Sequence, residues 1–334
     1  MQTRIKTLDI LTLLSTPGIG RRTVQQLLEA ELESSPSSLL ELRDLLVERA
    51  SVNGHRMRIP TSMELQDAYR VAERVLESSH ELGVQVIGPD TQMFPRQLRE
   101  IPDPPVMLYV LGNAQCLYRE PAVAVIGTRE PSQFGLSAAE KLSATLAAQQ
   151  FVIVSGLAIG CDAAAHTGCL NAGGQTLAVL AHGLDHIYPS KNRDLAHKIL
   201  DSGGCLVSEY APGTRPRGNF FVERDRLQSG LSAAVIVIET GLRGGTMHTA
   251  QFCIDQHRLL ACVVHPPKFA SHEKARGNQM LIAEGKALPL SSRADIDSFV
   301  ARFQTVPKTN ESEKSMGPTK KRTEQLSFFS EWAS

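Results

Sequence analysis

Three apolar segments in the middle of the chain end in turns rich in glycine, and the residues of these turns are suited to binding anions. The turns are Gly127-Thr128-Arg129, Ser155-Gly156-Leu157-Ala158-Ile159-Gly160 and Gly241-Leu242-Arg243-Gly244-Gly245-Thr246. Each turn leads into a segment of helical pattern, so its backbone N–H groups and the helix dipole attract a phosphate. Arg129 adds a planar guanidinium that matches phosphate geometry. The sequence therefore predicts a site for phosphate, a nucleotide or a nucleic-acid backbone.

The elements that must position these turns form a predicted domain over residues 82–300, in which two strands are followed by alternating strand and helix patterns from Ala122 to Val264. The predicted strands are Val84–Ile87, Met107–Val110, Ala122–Ile126, Phe151–Val154, Thr176–Ala181, Cys205–Ser208, Ala233–Ile238 and Leu259–Val264, and the predicted helices are Leu136–Gln149, Asp162–Ala172, Ser190–Asp201 and Thr246–His257. The strands are almost entirely apolar, as expected where helices cover both faces of a sheet. The alternation predicts a doubly wound α/β fold with a mostly parallel, Rossmann-like sheet. Ligands of such sheets bind outside the carboxyl ends of the strands.

Residues 1–81 have a helical pattern and predict a small helical domain before the α/β domain. Gly18 and Gly20 surround an apolar residue and permit a tight turn between two helices. Such a helix–hairpin–helix presents backbone amides to a DNA phosphate, and Arg21 and Arg22 add charge beside it. The alternative is an ordinary helical turn packed against the larger domain. A secondary DNA contact through these four residues is one of two interpretations that stay open.

Several function classes are disfavoured by what the sequence lacks. There is no GxGxxG turn followed by an acidic residue, and no GxxxxGK[ST], so a nicotinamide dehydrogenase and a phosphate-loop ATPase are not expected. The His182–His186 segment lacks a third ligand set for a metal, and we predict neither a metal nor a cofactor. Lysine plus arginine total 35 and aspartate plus glutamate total 35, so any DNA contact rests on a local patch. Six cysteines without CxxC spacing, no membrane-spanning run and no signal peptide predict buried free thiols in a cytoplasmic protein.

Four motifs, in order between residues 105 and 264, resemble those of the DNA-processing protein A (DprA/Smf) family. They are Gly127-Thr128-Arg129-Glu130-Pro131-Ser132-Gln133-Phe134-Gly135; residues 155–162 with Ala165-His166; residues 183–189 with Asn192; and Ser208-Glu209 with residues 220–232, including Arg224, Arg226, Gly230 and Leu231. An ordered set of four motifs is highly specific. The resemblance implies a Rossmann-like domain that binds single-stranded DNA, protects it during transformation and passes it to the RecA recombinase, and it implies a homodimer.

The resemblance also implies which residues contact DNA. Arg129 matches the family's arginine in the first turn, and Lys191 and Asn192 follow the Tyr-Pro pair. The predicted DNA-binding set is Gly127, Thr128, Arg129, Ser132, Ser155, Gly156, Gly160, Lys191, Asn192, Arg224, Arg226, Gly244, Gly245 and Thr246. Glu223 and Asp225 stand where the family has a more basic, asparagine-containing stretch, so weaker phosphate binding is expected there.

A second hypothesis is enzymatic. The wider superfamily includes lysine-decarboxylase-like phosphoribohydrolases, which use a Gly-Gly-x-Gly-Thr turn with a nearby glutamate. After Gly244-Gly245-Thr246 this chain has no acid until Asp255. Hydrolysis of a glycosidic bond needs a positioned acid or base. The sequence therefore favours a non-enzymatic binder over a nucleotide N-glycosidase, and leaves recognition of a small nucleotide open.

Residues 301–334 are predicted to be a flexible tail, because their polar composition cannot bury enough apolar surface to fold. An apolar cluster returns at Gln325-Leu326-Ser327-Phe328-Phe329. This pentapeptide resembles the Gln-Leu-x-Leu-Phe peptide by which bacterial proteins bind the replication sliding clamp. Gln325, Leu326, Phe328 and Phe329 are therefore predicted to dock on a partner. The alternative is that the aromatic residues fold back onto this protein or its dimer mate.

Overall fold

The computed structural model describes residues 5–29, 34–53 and 58–303. In chain order the described helices are α1 Thr7–Ser15, α2 Arg21–Leu28, α3 Leu39–Asn53, α4 Ser62–Glu81, α5 Arg96–Arg99, α6 Gln133–Ala148, α7 Cys161–Asn171, α8 Arg193–Asp201, α9 Gly218–Gly230, α10 Gly245–Asp255, α11 Pro267–Ala270, α12 Arg276–Ala283 and α13 Arg293–Ala301. The strands are β1 Val84–Ile87, β2 Leu108–Gly112, β3 Ala122–Ile126, β4 Val152–Ser155, β5 Thr176–Leu180, β6 Cys205–Ser208, β7 Ala234–Val237, β8 Leu259–Val263 and β9 Leu288–Leu290.

The chain divides into two compact units, each built from two separate stretches. The first unit comprises the described residues of Met1–Tyr118 and Leu177–Leu231, and the second comprises those of Arg119–Thr176 and Ser232–Ser334. The first therefore contains the N-terminal helices, and the second contains the three turns that are predicted to bind anions.

The first unit combines helices α1–α4 with a mixed group of strands. β2 pairs antiparallel with both β1 and β6, and β6 pairs in parallel with β5. The helix α4 begins with a capping box in which Thr61 and Glu64 each accept the other's backbone N–H. The carboxylate of Asp90 accepts the backbone N–H and the hydroxyl of Thr7, at 3.1 and 2.6 Å. These bonds attach the start of α1 to the segment that follows β1.

The second unit is an all-parallel sheet with the strand order β4-β3-β7-β8-β9. Its core joins side chains of these strands to α6 and α7, with Phe134 fully buried. Burial of a phenylalanine side chain contributes about 1.5–3 kcal/mol. Ser132 caps α6 by accepting the Gly135 N–H, so the helix starts directly after the turn that carries Arg129.

The structure confirms the predicted α/β class, with mostly parallel strands and helices before them. The eight predicted strands agree with β1–β8 within two residues at each end, whereas β9 was not predicted. The segment Ser190–Asp201 was predicted as one helix, but it is a 3₁₀ turn over Ser190–Asn192 followed by α8. Helix α9 was not predicted, because its inner face is polar and gives no apolar period. The predicted domain boundaries after residues 81 and 300 stay a prediction.

All six cysteines are free and buried, as predicted. Burial raises the pKa of the Cys169 thiol to about 12, which keeps this thiol protonated at neutral pH. Within residues 5–29, 34–53 and 58–303, no helix has the length and apolar composition needed to cross a membrane.

Candidate functional site

The turns after β3, β4 and β7 lie at one edge of the second unit, because β3 pairs in parallel with both β4 and β7. The turns contact each other directly. The Thr128 N–H donates to the Glu239 carbonyl at 2.8 Å, and the Cys161 N–H donates to the Thr128 carbonyl at 3.2 Å. The structure thereby gathers the predicted residues Gly127, Thr128, Arg129, Ser132, Ser155, Gly156, Gly160, Gly244, Gly245 and Thr246 at this edge.

Gly160 allows the turn after β4 to approach the turn after β3. Its φ is +84°, a conformation that residues with side chains rarely adopt. A Cβ on Gly160 would lie 2.5 Å from the Thr128 carbonyl oxygen and 2.7 Å from that of Arg129. Gly160 therefore acts through close packing.

The turn after β4 is filled by the protein's own carboxylate. Asp162 Oδ2 accepts the N–H groups of Gly156 and Ala158, at 3.1 and 3.4 Å. The Ser155 hydroxyl is buried and donates to the Val125 carbonyl at 2.7 Å. The predicted phosphate contacts through Ser155 and Gly156 are corrected accordingly, because Asp162 and Val125 occupy these donors.

Arg129 is exposed at the end of the turn after β3. The Thr128 hydroxyl accepts the Glu130 N–H at 3.2 Å, which shapes the turn. The Ser132 hydroxyl accepts the Gly135 N–H at 3.1 Å, so it serves as the cap of α6. The arrangement exposes the guanidinium on a turn whose backbone is fixed on both sides.

Glu239 is the functional residue that sequence reasoning missed. It follows β7, it is fully buried, and its Oε2 accepts the Ser132 N–H at 2.7 Å. Its Oε1 lies 3.3 Å from His265 Nε2 and 3.6 Å from His272 Nδ1. Burial acts to raise the pKa of Glu239, but the His265 side chain and the Ser132 N–H and hydroxyl outweigh burial and lower the pKa. The signal in the sequence was an acid at the end of an apolar strand, in the turn that also carries Gly244 and Gly245.

The start of α10 is open. Gly244 is the N-cap residue and has no side chain that could cap the helix. Gly245 is the first residue of the helix. A Cβ on either glycine would meet no atom within 4 Å. Arg243 is exposed beside them. The backbone at this helix start is therefore accessible, and anion binding by Gly244, Gly245 and Thr246 stays a prediction.

In the first unit, the structure does not present Arg224 and Arg226 as phosphate contacts. Both are buried, with Arg226 only 2 % exposed. Arg226 binds both carboxylate oxygens of Glu209 at 2.6 Å and lies 3.0 Å from Asp103 Oδ2. Burial acts to lower the pKa of Arg226, but the charge and hydrogen bonds of Glu209, together with the charge of Asp103, outweigh burial and raise the pKa. The expectation for Arg226 is therefore corrected, because its donors are used within the protein.

Arg224 and the acids that depart from the family pattern are also used internally. The Arg224 guanidinium donates to the Val179 carbonyl and, at 3.2 Å, to Asp225 Oδ1. Glu223 accepts the Tyr210 hydroxyl at 3.0 Å. Both acids have partners inside the protein. The expectation that Glu223 and Asp225 weaken phosphate binding is therefore corrected.

The remaining predicted contacts of the first unit differ in exposure. Lys191 is exposed, whereas Asn192 is buried. Tyr188, which the prediction did not include, is 45 % exposed and packs against the Phe221 ring. Lys191 therefore stays available to a ligand and Asn192 does not.

His182 and His186 stack with ring centroids 4.5 Å apart, and His186 Nδ1 lies 3.3 Å from Asp185 Oδ1. Burial lowers the pKa of His182, with further lowering by His186 and Arg224. Within the parts of the chain that the structure describes, no group of three or more His, Cys, Asp or Glu residues could hold a metal ion.

The N-terminal turn joins α1 to α2, with Gly18 at a φ of +82° and Gly20 directly before α2. Both interpretations of this turn stay predictions. Arg21 donates to Asp103 Oδ2 at 2.7 Å and lies 3.5 Å from Glu209. Arg22 is exposed. A DNA contact at this turn thus depends on Arg22 and the backbone. The predicted docking residues Gln325, Leu326, Phe328 and Phe329 lie outside the described residues.

The chain matches the family model described as DNA recombination-mediator protein A over residues 85–301. It is 38 % identical to Protein Smf of Synechocystis over 231 residues, which cover 68 % of this chain and 56 % of that protein. It is 33 % identical to DNA processing protein DprA of Bacillus subtilis over 247 residues, 74 % of this chain and 80 % of that protein. The chain thus spans little more than half the length of the Synechocystis relative.

Two solved structures are similar. DNA processing protein A of Streptococcus pneumoniae superposes with a TM-score of 0.74 at 29 % identity, over 91 % of this chain and 100 % of that one. DNA processing protein A of Helicobacter pylori, described as having a single-stranded DNA binding mode, superposes with a TM-score of 0.58 at 28 % identity, over 66 % and 94 %.

Proposed function

Because the chain belongs to the DNA recombination-mediator protein A family, we propose that it binds single-stranded DNA and passes it to a RecA-type recombinase. In this proposal the protein protects single strands during DNA uptake or recombination and does not change them chemically. The description of the Helicobacter pylori relative as a single-stranded DNA binder supports the choice of ligand.

The observation that carries the proposal is the exposed Arg129 on its fixed turn. The turn is held from one side by the Glu239 carbonyl and carboxylate and approached from the other by Gly160. Its cation is therefore presented at low conformational cost to a phosphate. The open start of α10 at Gly244 and Gly245 offers backbone donors at the same sheet edge.

Single strands are the preferred form of DNA in this proposal. The site consists of turns that carry two exposed arginines, Arg129 and Arg243. Turns of this kind can follow a single-stranded backbone without entering a groove of duplex DNA. Because few exposed cations converge, the affinity depends only modestly on salt.

Fluorescence anisotropy with a labelled oligothymidylate and a labelled duplex, each across a salt titration, tests the proposal. We expect tighter binding of the single strand, and a salt slope that decreases by about 1 in Arg129→Ala. Arg96→Ala is the matched control, because its side chain is 90 % exposed and lies in the first unit. Equal affinity of wild type and Arg129→Ala for the single strand would show that Arg129 does not contact the DNA.

The enzymatic alternative receives no support from the positions of the acids. Glu239 is fully buried, and Glu209 is held by Arg226, so neither carboxylate is exposed to a glycosidic bond. We expect no release of free base from nucleoside monophosphates, as measured by chromatography. Base release that is abolished by Glu209→Gln or Glu239→Gln would establish the enzyme instead.

Partner binding through the tail and homodimer formation are further parts of the proposal. Leu326 and Phe329 would fill an apolar pocket of the replication sliding clamp, with Gln325 at its rim. A pull-down with purified clamp tests this part. We expect the clamp to retain wild type and not the Leu326→Ala, Phe329→Ala double variant. Equal retention of both proteins excludes the clamp as partner. Light scattering of the full chain measures the oligomeric state.

A further inference from the structure

Two aliphatic side chains are exposed in the turns that flank Arg129. Ile159, in the turn after β4, is 40 % exposed, and Leu242, in the turn after β7, is 51 % exposed. Both lie outside the core cluster of the second unit. Exposed aliphatic residues on neighbouring turns at a binding edge point to a ligand with apolar surface.

The positions of the two residues follow from contacts between the turns. Ile159 directly precedes Gly160, where an added Cβ would lie within 2.7 Å of the carbonyl oxygens of Thr128 and Arg129. Leu242 follows three residues after Glu239, whose carbonyl accepts the Thr128 N–H. The turn with Arg129 thus lies between the turn with Ile159 and the turn with Leu242, in the strand order β4-β3-β7.

The exposed charges at this sheet edge indicate which kind of ligand fits it. The exposed charged residues of the three turns are Arg129, Glu130 and Arg243, and the carboxylates of Asp162 and Glu239 are buried. Two exposed arginines beside two exposed aliphatic side chains complement a polyanion that also carries apolar faces. Single-stranded DNA has both features, whereas the base faces of a duplex are hidden by stacking and pairing.

We propose that Ile159 and Leu242 contact unpaired bases of the strand whose phosphates Arg129 binds. The inference rests on the proposed function and adds the source of the preference for single strands. The phosphate contact serves every nucleic acid, and the two aliphatic contacts are available only when the bases are free. The aliphatic contacts carry little sequence preference, because every base offers an apolar face.

An oligomer of abasic deoxyribose phosphates separates the two contributions. Its length and charge equal those of an oligothymidylate, but it has no bases. We expect wild type to bind the oligothymidylate about tenfold more tightly than the abasic oligomer, in line with the contribution of base contacts in single-strand binders. The Ile159→Ser, Leu242→Ser double variant is expected to lose this difference and to bind the abasic oligomer as wild type does.

Two further variants complete the experiment. Leu82→Ser is the matched control, because Leu82 is 44 % exposed and lies in the first unit. It is expected to leave both affinities unchanged. Arg129→Ala is expected to weaken binding of both oligomers by the same factor. Thermal unfolding of each variant confirms that the fold is retained.

The outcomes distinguish this inference from the proposed function. Equal affinity of wild type for the two oligomers overturns the base contacts and leaves single-strand binding intact. An unchanged oligothymidylate affinity in the double variant, or an equal loss on both oligomers, overturns the role of these two residues. Failure of wild type to bind any single strand overturns the proposed function and with it the inference.

Discussion

The Ser132 N–H donates to the Glu239 carboxylate at 2.7 Å, and this bond joins the start of α6 to the end of β7. The Glu239 carbonyl also accepts the Thr128 N–H. One residue therefore fixes both ends of the five-residue segment that carries Arg129. A Cβ at Gly135 would overlap the same carboxylate, so a glycine is required where α6 passes over it. Because Glu239 is buried and holds this segment, we expect it to act in binding as a positioning residue, through Arg129.

The first prediction follows from this bond. We expect Glu239→Ala to weaken single-stranded DNA binding about fivefold to tenfold, but less than about twofold when Arg129 is already alanine, a coupling of about 1 kcal/mol. The reason is that the carboxylate acts only through the turn that carries the guanidinium. Anisotropy titrations of the two single variants and the double variant measure the coupling. Glu284→Ala, which removes an exposed carboxylate, is the control. Equal losses in both backgrounds would contradict the positioning role.

The second prediction contrasts two arginines. Arg226→Ala is expected to lower the free energy of unfolding by about 3–5 kcal/mol, because Glu209 would be left buried without its partner. Arg129→Ala changes an exposed residue and is expected to cost less than about 0.5 kcal/mol. Denaturant unfolding followed by circular dichroism compares the two. If Arg226→Ala were as stable as wild type but had lost DNA affinity, Arg226 would have to be a DNA contact after all.

The third prediction uses two glycines with nearly equal φ angles. Gly160 has a φ of +84° and Gly213 a φ of +86°, but only at Gly160 would a Cβ meet carbonyl oxygens. Both alanine variants are expected to lose about 1 kcal/mol from the positive φ. Gly160→Ala loses more stability and also DNA affinity, because the carbonyls of Thr128 and Arg129 must move. If Gly213→Ala weakened DNA binding as much, the close approach at Gly160 would not be the cause.

The fourth prediction concerns pH. Burial lowers the pKa of His182 from its ordinary 6.5, with His186 and Arg224 adding to the shift. In the range between the lowered pKa and 6.5, the unfolded chain binds more protons than the folded one, so stability rises with pH. Wild type is therefore expected to lose stability as the pH falls below 6.5, and His182→Gln to lose less. Melting temperatures measured from about pH 8 to about pH 5 compare the two. Parallel curves would exclude His182 as the source.

The positions of β1–β8, and the sheet edge at which the three turns meet, could be predicted from the sequence, because they depend on local pattern. The strand Ala122–Ile126 is observed as predicted, and Arg129 is exposed at its end. Whether an arginine is buried depends on partners far along the chain. Arg226 binds Asp103 and Glu209, and the residues next to Arg226 in the sequence do not indicate that either acid is its partner.

Glu239 illustrates the same limit for acids. Its partners Ser132, His265 and His272 come from three other segments, and they meet only because the strands pair as they do. The Asp162 carboxylate likewise accepts N–H groups from Gly156 and Ala158, which lie in the turn before its helix.

The division of each unit into two stretches of chain affects the order in which the protein folds during its synthesis. In the first unit, β6 pairs with both β2 and β5. β2 therefore cannot pair with β6 until residues 205–208 have been synthesised, which happens only after all of Arg119–Thr176. A fragment that ends between residues 119 and 204 presents one edge of β2 without its partner strand. Unpaired strand edges are templates for aggregation. No single cut therefore yields either unit intact, and shortened versions must keep the chain through β6.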